Sequence, residues 1–272
     1  MNVRSGLNEG VPYSLSRWTD IPAAKWEWLT NSLKVGKMQA FDARVGIPDW
    51  WSLRPEDTHS LVFWTKFPKN MVTGYEILRP YNVKAHVTIT GWSEVEHAVP
   101  NPQVVTDWTR SLSSLIGKEN LTWRFSPVPL LESDALYQRF EYIAARMRGY
   151  TTEVFLSFLQ PNDLINETRG LATQLTIMEN LASIAEGAGI RVKLCNDNKI
   201  DTGSRHPNLA SGVCVPCEGE KMPQAEACGC AIMVDPFTMN ESCVFGCEFC
   251  YVADKSLAAK KVNTTKRLKV IQ

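Results

Sequence analysis

The sequence lacks long hydrophobic runs and an apolar leader. No stretch of its 272 residues approaches the roughly 18 consecutive apolar residues that cross a membrane. The N-terminal segment from Met1 to Gly10 has none of the apolar character of a secretory signal peptide. We therefore expect a cytoplasmic protein with no membrane partner.

Several common catalytic motifs are also missing. The chain contains no GxxxxGK[ST], GxGxxG, HExxH or GxSxG sequence, so phosphoryl transfer and serine hydrolysis have no support. Its four histidines show no metal-ligand spacing. With 29 basic and 29 acidic residues the formal net charge is zero, so the whole protein is not an obvious polyanion binder.

Cysteine is absent from the first two thirds of the chain. All eight cysteines lie in the last third, at positions 195, 214, 217, 228, 230, 243, 247 and 250. A secreted disulfide-rich domain would be shorter and would spread its cysteines more widely. The clustering favours metal or iron–sulfur ligation in a reducing compartment.

The first two thirds alternate strand and helix patterns. Runs rich in Val, Ile, Phe and Thr predict strands at Leu61–Lys66, Val83–Trp92, Leu121–Pro127, Glu153–Leu159 and Ile190–Cys195. Helical patterns cover Ala23–Leu33, Val104–Ile116, Asp134–Arg148 and Leu171–Gly187. This alternation predicts an α/β fold with a parallel sheet and crossover helices, in the form of a partial, TIM-like (β/α) barrel.

The composition divides the chain into three segments. Residues 1–195 would form the partial barrel, and residues 196–254 a cysteine-rich iron–sulfur region of irregular structure packed on it. Residues 255–272 form a basic tail, with Lys255, Lys260, Lys261, Lys266, Arg267 and Lys269 and no acid up to residue 269. The tail is interpreted either as a solvated helix or frayed end, or as a contact to nucleic-acid phosphates.

The most informative motif is a CxxxCxxC loop formed by Cys243, Cys247 and Cys250, with Phe249 and Tyr251 flanking the last cysteine. Three thiolates on one loop hold three irons of a 4Fe-4S cluster and leave the fourth iron open for a small molecule. A zinc site usually has four ligands in paired units, which three unevenly spaced cysteines do not supply. Zinc is still the main alternative to the cluster, and disulfides are the least favoured interpretation.

The remaining cysteines suggest a second centre. Cys195, Cys214, Cys228 and Cys230 would together ligate an auxiliary 4Fe-4S cluster, or equally a tetrahedral zinc ion. Cys217 forms a CxxC pair with Cys214 and is left as a spare.

Three charged residues are candidates for the rim of the barrel, where active sites of such folds collect at the carboxyl ends of the strands. Lys66 ends one apolar strand and Arg124 lies inside another, so each needs a partner. In one interpretation, each side chain forms an internal ion pair or extends past the rim to solvent. In the other, it contacts the ligand as a catalytic residue. Asp20 either caps the helix near Pro22 or reaches the cofactor at the same rim.

The CxxxCxxC loop resembles the cluster loop of the radical S-adenosylmethionine (radical-SAM) enzymes. The resemblance implies that S-adenosylmethionine binds the open iron, beside Phe249 and Tyr251, and is cleaved to a 5′-deoxyadenosyl radical. It also implies an electron donor such as flavodoxin or ferredoxin. Members of the superfamily usually carry this loop near the N-terminus, whereas here it begins at residue 243, as in a circularly permuted barrel.

Most of the chain also resembles the family called domain of unknown function 1848, found in bacteria and phages. The matching pieces are Thr19–Ala23, Leu53 with Pro55–Asp57, Phe63–Lys66, Trp123–Arg124, Cys228–Cys230, and Cys243, Cys247, Cys250 and Tyr251. The chain differs from the common family pattern at Trp18, Phe67, Ser126 and Phe249. The resemblance implies the cofactor but not the substrate.

The resulting hypothesis is a radical-SAM enzyme. Its expected substrate is a modified pyrimidine nucleotide or DNA base, which would undergo isomerisation or another base modification. A peptide or small metabolite is the alternative substrate. The alternative class of protein is a non-catalytic zinc or iron–sulfur module that binds nucleic acid through its basic tail.

Overall fold

The computed structural model describes residues 3–42, 47–129, 132–158, 170–195, 204, 206–216, 229–237 and 243–250. Over these ranges the chain combines helices with one ten-stranded sheet, most of which is parallel. Within the same ranges, every helix is too short or too polar to cross a membrane.

The strands, in chain order, are β1 (Tyr13–Ser14), β2 (Lys37–Asp42), β3 (Pro48–Ser52), β4 (Leu61–Thr65), β5 (Val83–Thr88), β6 (Leu121–Val128), β7 (Glu153–Phe158), β8 (Arg191–Cys195), β9 (Leu209–Gly212) and β10 (Val234–Asp235). Their order across the sheet is β3-β2-β10-β1-β4-β5-β6-β7-β8-β9. All neighbours from β10 to β9 pair in parallel, whereas β2 and β3 join antiparallel.

The sheet formed by the described residues is open, with β3 at one edge and β9 at the other. The predicted α/β class is therefore confirmed. The partial or permuted barrel and the cysteine-rich iron–sulfur region stay predictions.

The helices are α1 (Gly6–Glu9), α2 (Ile21–Ala24), α3 (Trp26–Val35), α4 (Lys69–Thr73), α5 (Tyr75–Leu78), α6 (Pro102–Ile116), α7 (Asp134–Met147) and α8 (Leu171–Gly187). The predicted helix over residues 23–33 is two helices, because Lys25 at their junction leaves the helical region with φ −131° and ψ 26°. The long helices α6, α7 and α8 match their predicted positions, since their apolar stripes repeat over several turns.

Five strands went unpredicted. β1 and β10 have two residues each, which is too short for a recognisable alternation of polar and apolar residues. β9 and β10 lie in the segment for which the sequence predicted irregular structure, and for these residues that prediction was wrong. Both short segments become strands because the parallel sheet offers each a neighbour, β8 for β9 and β1 for β10.

The two faces of the sheet differ in what covers them. One face supplies Phe63, Val87, Trp123 and Leu156 to the main core, which includes residues of α6, α7 and α8. Trp123, for example, stacks on Phe140 of α7 with ring centroids 4.8 Å apart. The opposite face, called the inner face below, carries a smaller apolar cluster made of Val62, Val215, Ala231 and Met233. Segments from the last quarter of the chain therefore pack on the inner face.

Candidate functional site

Asp20 lies at the carboxyl end of the central strands. Its side chain caps α2 by accepting a hydrogen bond from the Ala23 backbone N–H at 3.1 Å, as a helix N-cap does. The same carboxylate accepts from the Thr65 hydroxyl at 2.9 Å and from the Lys66 backbone N–H at 2.7 Å. Burial raises the pKa of Asp20 to about 6, although these donors act in the opposite direction. The predicted capping role is thus present, and Asp20 also ties α2 to the end of β4.

The cysteine loop (residues 243–250) docks on the segment Val95–His97. The Glu248 backbone N–H donates to the Val95 carbonyl at 3.1 Å, and His97 Nε2 lies 2.7 Å from the Glu248 carboxylate. Within the loop, the Cys250 N–H donates to the Cys247 carbonyl at 3.0 Å. Gly246 adopts a left-handed φ of 52°, which favours glycine at this turn. These contacts fix the loop against the turn that follows β5.

Two of the three loop thiols, the buried Cys247 and the partly buried Cys243, lie in surroundings that supply hydrogen-bond donors or positive charge. Cys247 is 3% exposed. The Cys243 sulfur accepts hydrogen bonds from the backbone N–H groups of Phe245 and Asp20. Burial raises the pKa of both thiols, and the pKa of Cys247 is raised to about 12. The nearby ammonium of Lys66 acts in the opposite direction on Cys247. Backbone N–H donors and a neighbouring cation both stabilise the thiolate form, the form that binds metals.

Lys66 lies between the loop and a buried acid. Its Nζ is 2.6 Å from Glu96 Oε1, and the other Glu96 oxygen accepts from the Thr90 hydroxyl at 2.6 Å. The ammonium also lies 5.7 Å from the Phe249 ring centroid. Burial alone would lower the pKa of Lys66, but Glu96, Cys247 and Cys250 outweigh it, so the pKa lies above its usual value. The internal ion pair expected as one possibility is therefore present, and it sits beside the loop thiols.

The donor chemistry of the cysteine loop fits a 4Fe-4S cluster. Among the described residues, no three His, Cys, Asp or Glu side chains are arranged to hold a single metal ion. A 4Fe-4S cluster instead distributes its cysteines over separate irons, which requires thiols around a larger volume. Three thiols on one loop, two N–H groups directed at Cys243 and an ammonium near Cys247 and Cys250 are a donor set of that kind.

A second group of thiols surrounds Arg124 on the inner face. Arg124 Nη1 donates to Cys214 Sγ at 3.0 Å, and Cys195 Sγ lies 3.8 Å from Cys214 Sγ. Cys230, 6% exposed, also interacts with Cys214. Burial opposes the charge on Arg124, yet the two sulfurs Cys214 and Cys195 leave the pKa of the guanidinium above its usual value. The structure thus places Cys195 and Cys230 each beside Cys214, although the three described side chains are not arranged around a single metal ion.

Arg124 differs from Lys66 in having no carboxylate partner in the described part of the chain. The guanidinium carbon also lies 5.6 Å from the centroid of the Phe155 ring. His86 stacks on Trp64 close by and is 2% exposed. Burial, followed by the charge of Arg124, lowers the pKa of His86 to about 3, so the imidazole is neutral.

Some predicted residues cannot be placed. Cys228, Cys217 and Tyr251 lie outside the described residues, and so does the basic tail from Lys255 onward.

No pattern in the sequence points to the residues that hold the loop. Glu96 and His97 belong to no motif, and their partners Lys66 and Glu248 are 30 and 151 positions away in the chain. The one usable hint was position, because Glu96 shortly follows a predicted strand and so falls at the carboxyl edge of the sheet.

Comparison with known proteins identifies the family of this α/β chain. It belongs to the family described as Domain of unknown function (DUF1848), which matches residues 13–252. The predicted family resemblance is therefore confirmed, and the match spans both the sheet and the cysteine loop. No curated protein matches the chain.

Proposed function

We propose that this protein is a radical-SAM enzyme whose 4Fe-4S cluster is held by Cys243, Cys247 and Cys250. The observation that carries the proposal is the docking of a CxxxCxxC loop at the carboxyl edge of a mainly parallel sheet. Ligands of parallel α/β folds bind at that edge. When bound, such a cluster supplies the electron that cleaves S-adenosylmethionine to a 5′-deoxyadenosyl radical, which abstracts a hydrogen atom from the substrate.

The surrounding residues have supporting roles in this proposal. Lys66 lies beside Cys247 and Cys250, and its ammonium favours the thiolate form of Cys247, although Glu96 partly offsets that effect. Asp20 holds its own backbone N–H toward Cys243 while its carboxylate fixes the end of β4. Phe249 covers the Lys66 ammonium and helps to keep water away from the loop. Tyr251 is proposed as a further cofactor contact from the sequence alone.

A second metal centre forms part of the same proposal. Its ligands would be Cys195, Cys214, Cys228 and Cys230, with Arg124 as the positive charge that balances their thiolates. The Cys195–Cys214 sulfur separation of 3.8 Å supports zinc. It equals the edge of a tetrahedron with bonds of about 2.3 Å, the usual zinc–sulfur length. Thiolates on separate irons of an auxiliary cluster would lie farther apart.

For the substrate we propose a modified pyrimidine nucleotide or a DNA base, converted by isomerisation or another base modification. Flavodoxin or ferredoxin would supply electrons in the cytoplasm. A peptide or small metabolite is the alternative substrate, and Lys66 or Arg124 would then contact its anionic group.

The test combines metal analysis with a cofactor assay. The protein is purified anaerobically, reconstituted, and analysed for iron, sulfide and zinc per chain. It is then incubated with S-adenosylmethionine and dithionite, and 5′-deoxyadenosine is measured. We expect about four irons, one zinc and product formation, whereas about eight irons would indicate a second cluster instead of zinc.

Two variants separate the loop from the other cysteines. Cys250→Ala should lose iron and 5′-deoxyadenosine formation, whereas Cys217→Ser, outside both predicted ligand sets, should keep both. Full S-adenosylmethionine cleavage by Cys250→Ala would refute the proposal. Zinc alone, with no product from the wild type, would favour the non-catalytic nucleic-acid-binding module.

A further inference from the structure

Both members of the Lys66–Glu96 ion pair are held against the cysteine loop. Lys66 Nζ lies 5.7 Å from the centroid of the Phe249 ring, which belongs to the loop. Glu96 directly follows Val95, whose carbonyl accepts a hydrogen bond from the Glu248 backbone N–H at 3.1 Å. The contacts that position the loop therefore also position the ammonium and the carboxylate beside it.

The two charges are fixed in place and largely removed from water. Lys66 Nζ lies 2.6 Å from Glu96 Oε1, and the Thr90 hydroxyl donates to the other Glu96 oxygen at 2.6 Å. The Lys66 backbone N–H donates to the Asp20 carboxylate at 2.7 Å. The side chains of Lys66 and Glu96 are 16% and 2% exposed. Charges held in this way are screened less than charges on the surface.

The two charges act in opposite directions on the same loop sulfur. Burial raises the pKa of Cys247 most strongly, the ammonium of Lys66 lowers it, and the carboxylate of Glu96 raises it. The same electrostatic effects apply to a cluster bound through that sulfur. Reduction adds negative charge to the cluster, so a nearby positive charge favours the reduced form and a nearby negative charge favours the oxidised form.

We infer that Lys66 raises, and Glu96 lowers, the reduction potential of the cluster held by the loop. The inference rests on the proposed function, because it requires a 4Fe-4S cluster on Cys243, Cys247 and Cys250. In the step concerned, one electron passes from flavodoxin or ferredoxin to the cluster, and the donor is oxidised. No bond forms or breaks, and no proton is transferred.

Glu96 has a specific part in this inference. A lone ammonium beside the cluster would hold the added electron more tightly and oppose its transfer to S-adenosylmethionine. By offsetting that charge, Glu96 keeps the reduced cluster a stronger reductant. Lys66 and Glu96 act through the cluster, so neither residue has to contact the substrate.

The test is a potentiometric titration of the reconstituted full-length protein without S-adenosylmethionine, followed by the electron paramagnetic resonance signal of the reduced cluster. At the wild-type midpoint, Glu96→Gln should raise the ratio of reduced to oxidised cluster about tenfold. For a one-electron couple, this corresponds to an upward shift of about 59 mV. Glu94→Gln removes the same charge from a side chain that is 41% exposed and should leave the ratio within about twofold of the wild type.

A second variant tests the opposite sign and covers the possibility that Glu96→Gln does not fold. Lys66→Met should lower the same ratio about tenfold. The double variant Lys66→Met with Glu96→Gln should shift the ratio less than either single change, because the two lost charges cancel. General loosening of the loop would instead shift both single variants in the same direction.

The outcomes separate this inference from the proposed function. Ratios equal to that of the wild type in the single variants, or shifts of the same sign in both, would overturn the inference while the cluster itself is still observed. A reconstituted wild type with neither bound iron nor a signal after reduction would overturn the proposed function, and the inference with it.

Discussion

The two clusters of cysteine thiols in this protein each face a partly buried cation, but the cations are balanced differently. At the cysteine loop, Lys66 is paired with Glu96 at 2.6 Å before any thiol ionises. On the inner face, Arg124 meets the Cys214 sulfur at 3.0 Å with no carboxylate partner in the described ranges. Among the described residues, the loop cation is thus neutralised by a carboxylate, whereas Arg124 is balanced when the cysteines around it become thiolates.

This difference bears on what each site does. A buried charge without a partner is costly, so Arg124 favours a centre that carries net negative charge, such as a tetrathiolate metal site. The Lys66–Glu96 pair adds little net charge, so it suits a site where a cofactor or substrate brings its own charged groups. On this comparison we propose a structural centre at the inner face and an exchangeable ligand at the loop.

The largest stability effect should come from Glu96→Gln. The change leaves Lys66 buried beside the loop without its ion partner, and breaking such a pair costs about 4 kcal/mol. Urea denaturation would measure the free energy of unfolding, with Glu94→Gln as the control because the Glu94 side chain is 41% exposed. Lys66→Met combined with Glu96→Gln should recover part of the loss. Equal stability of wild type and Glu96→Gln would remove the basis of the comparison.

One residue outside both clusters of cysteines also makes the free energy of unfolding depend on pH. Asp235, buried at the end of β10, has its pKa raised to about 7 by burial, against 3.8 as the ordinary value. The folded state therefore holds this proton at pH values where the unfolded state has released it, and stability is lost as the pH rises. Between pH 5 and pH 7 the free energy of unfolding should fall by roughly 2 kcal/mol from this group.

Asp235→Asn tests that assignment, because an amide does not titrate. Denaturant unfolding at several pH values should show a shallower decline from pH 5 to pH 7 in the variant than in the wild type. An identical pH dependence in both proteins would show that Asp235 does not titrate in this range.

Arg124→Met should have opposite effects in the metal-free and metal-loaded protein. Without metal, replacing an unmatched buried cation by an apolar side chain should leave stability unchanged or raise it by about 1 kcal/mol. With metal, loss of the balancing charge should weaken zinc or iron retention about 10- to 100-fold, as for other residues that contact metal ligands. Chelator competition measures the retention. Lower stability of the metal-free variant together with unchanged retention would contradict the comparison.

The smallest effect should come from His97→Ala. The His97–Glu248 contact is 2.7 Å long, but the His97 side chain is 52% exposed, and exposed ion pairs contribute about 1 kcal/mol or less. We expect a change within that range by thermal or urea unfolding, and a smaller change at high salt. A loss of several kcal/mol would mean that this contact, rather than the Val95 backbone bond, holds the loop.

Long elements were predictable because their patterns repeat. The strands from β4 to β8 and the helices α6 to α8 each present a stripe or alternation over several residues, and the sequence located all of them. The short strands β1 and β10 could not be found, since two residues have no period. They exist only because the neighbouring strands of the sheet supply hydrogen-bond partners.

The candidate sites also combine features that were predictable from the sequence with features that were not. By itself, the sequence determined the family, the α/β class and the CxxxCxxC spacing, because motif and periodicity are local properties of the chain. Tertiary structure decided that Lys66 pairs with Glu96, that Arg124 meets Cys195 and Cys214, and that Val95–His97 anchors the loop. These contacts join residues far apart in the chain, and the sheet order, which no local pattern encodes, brings them together.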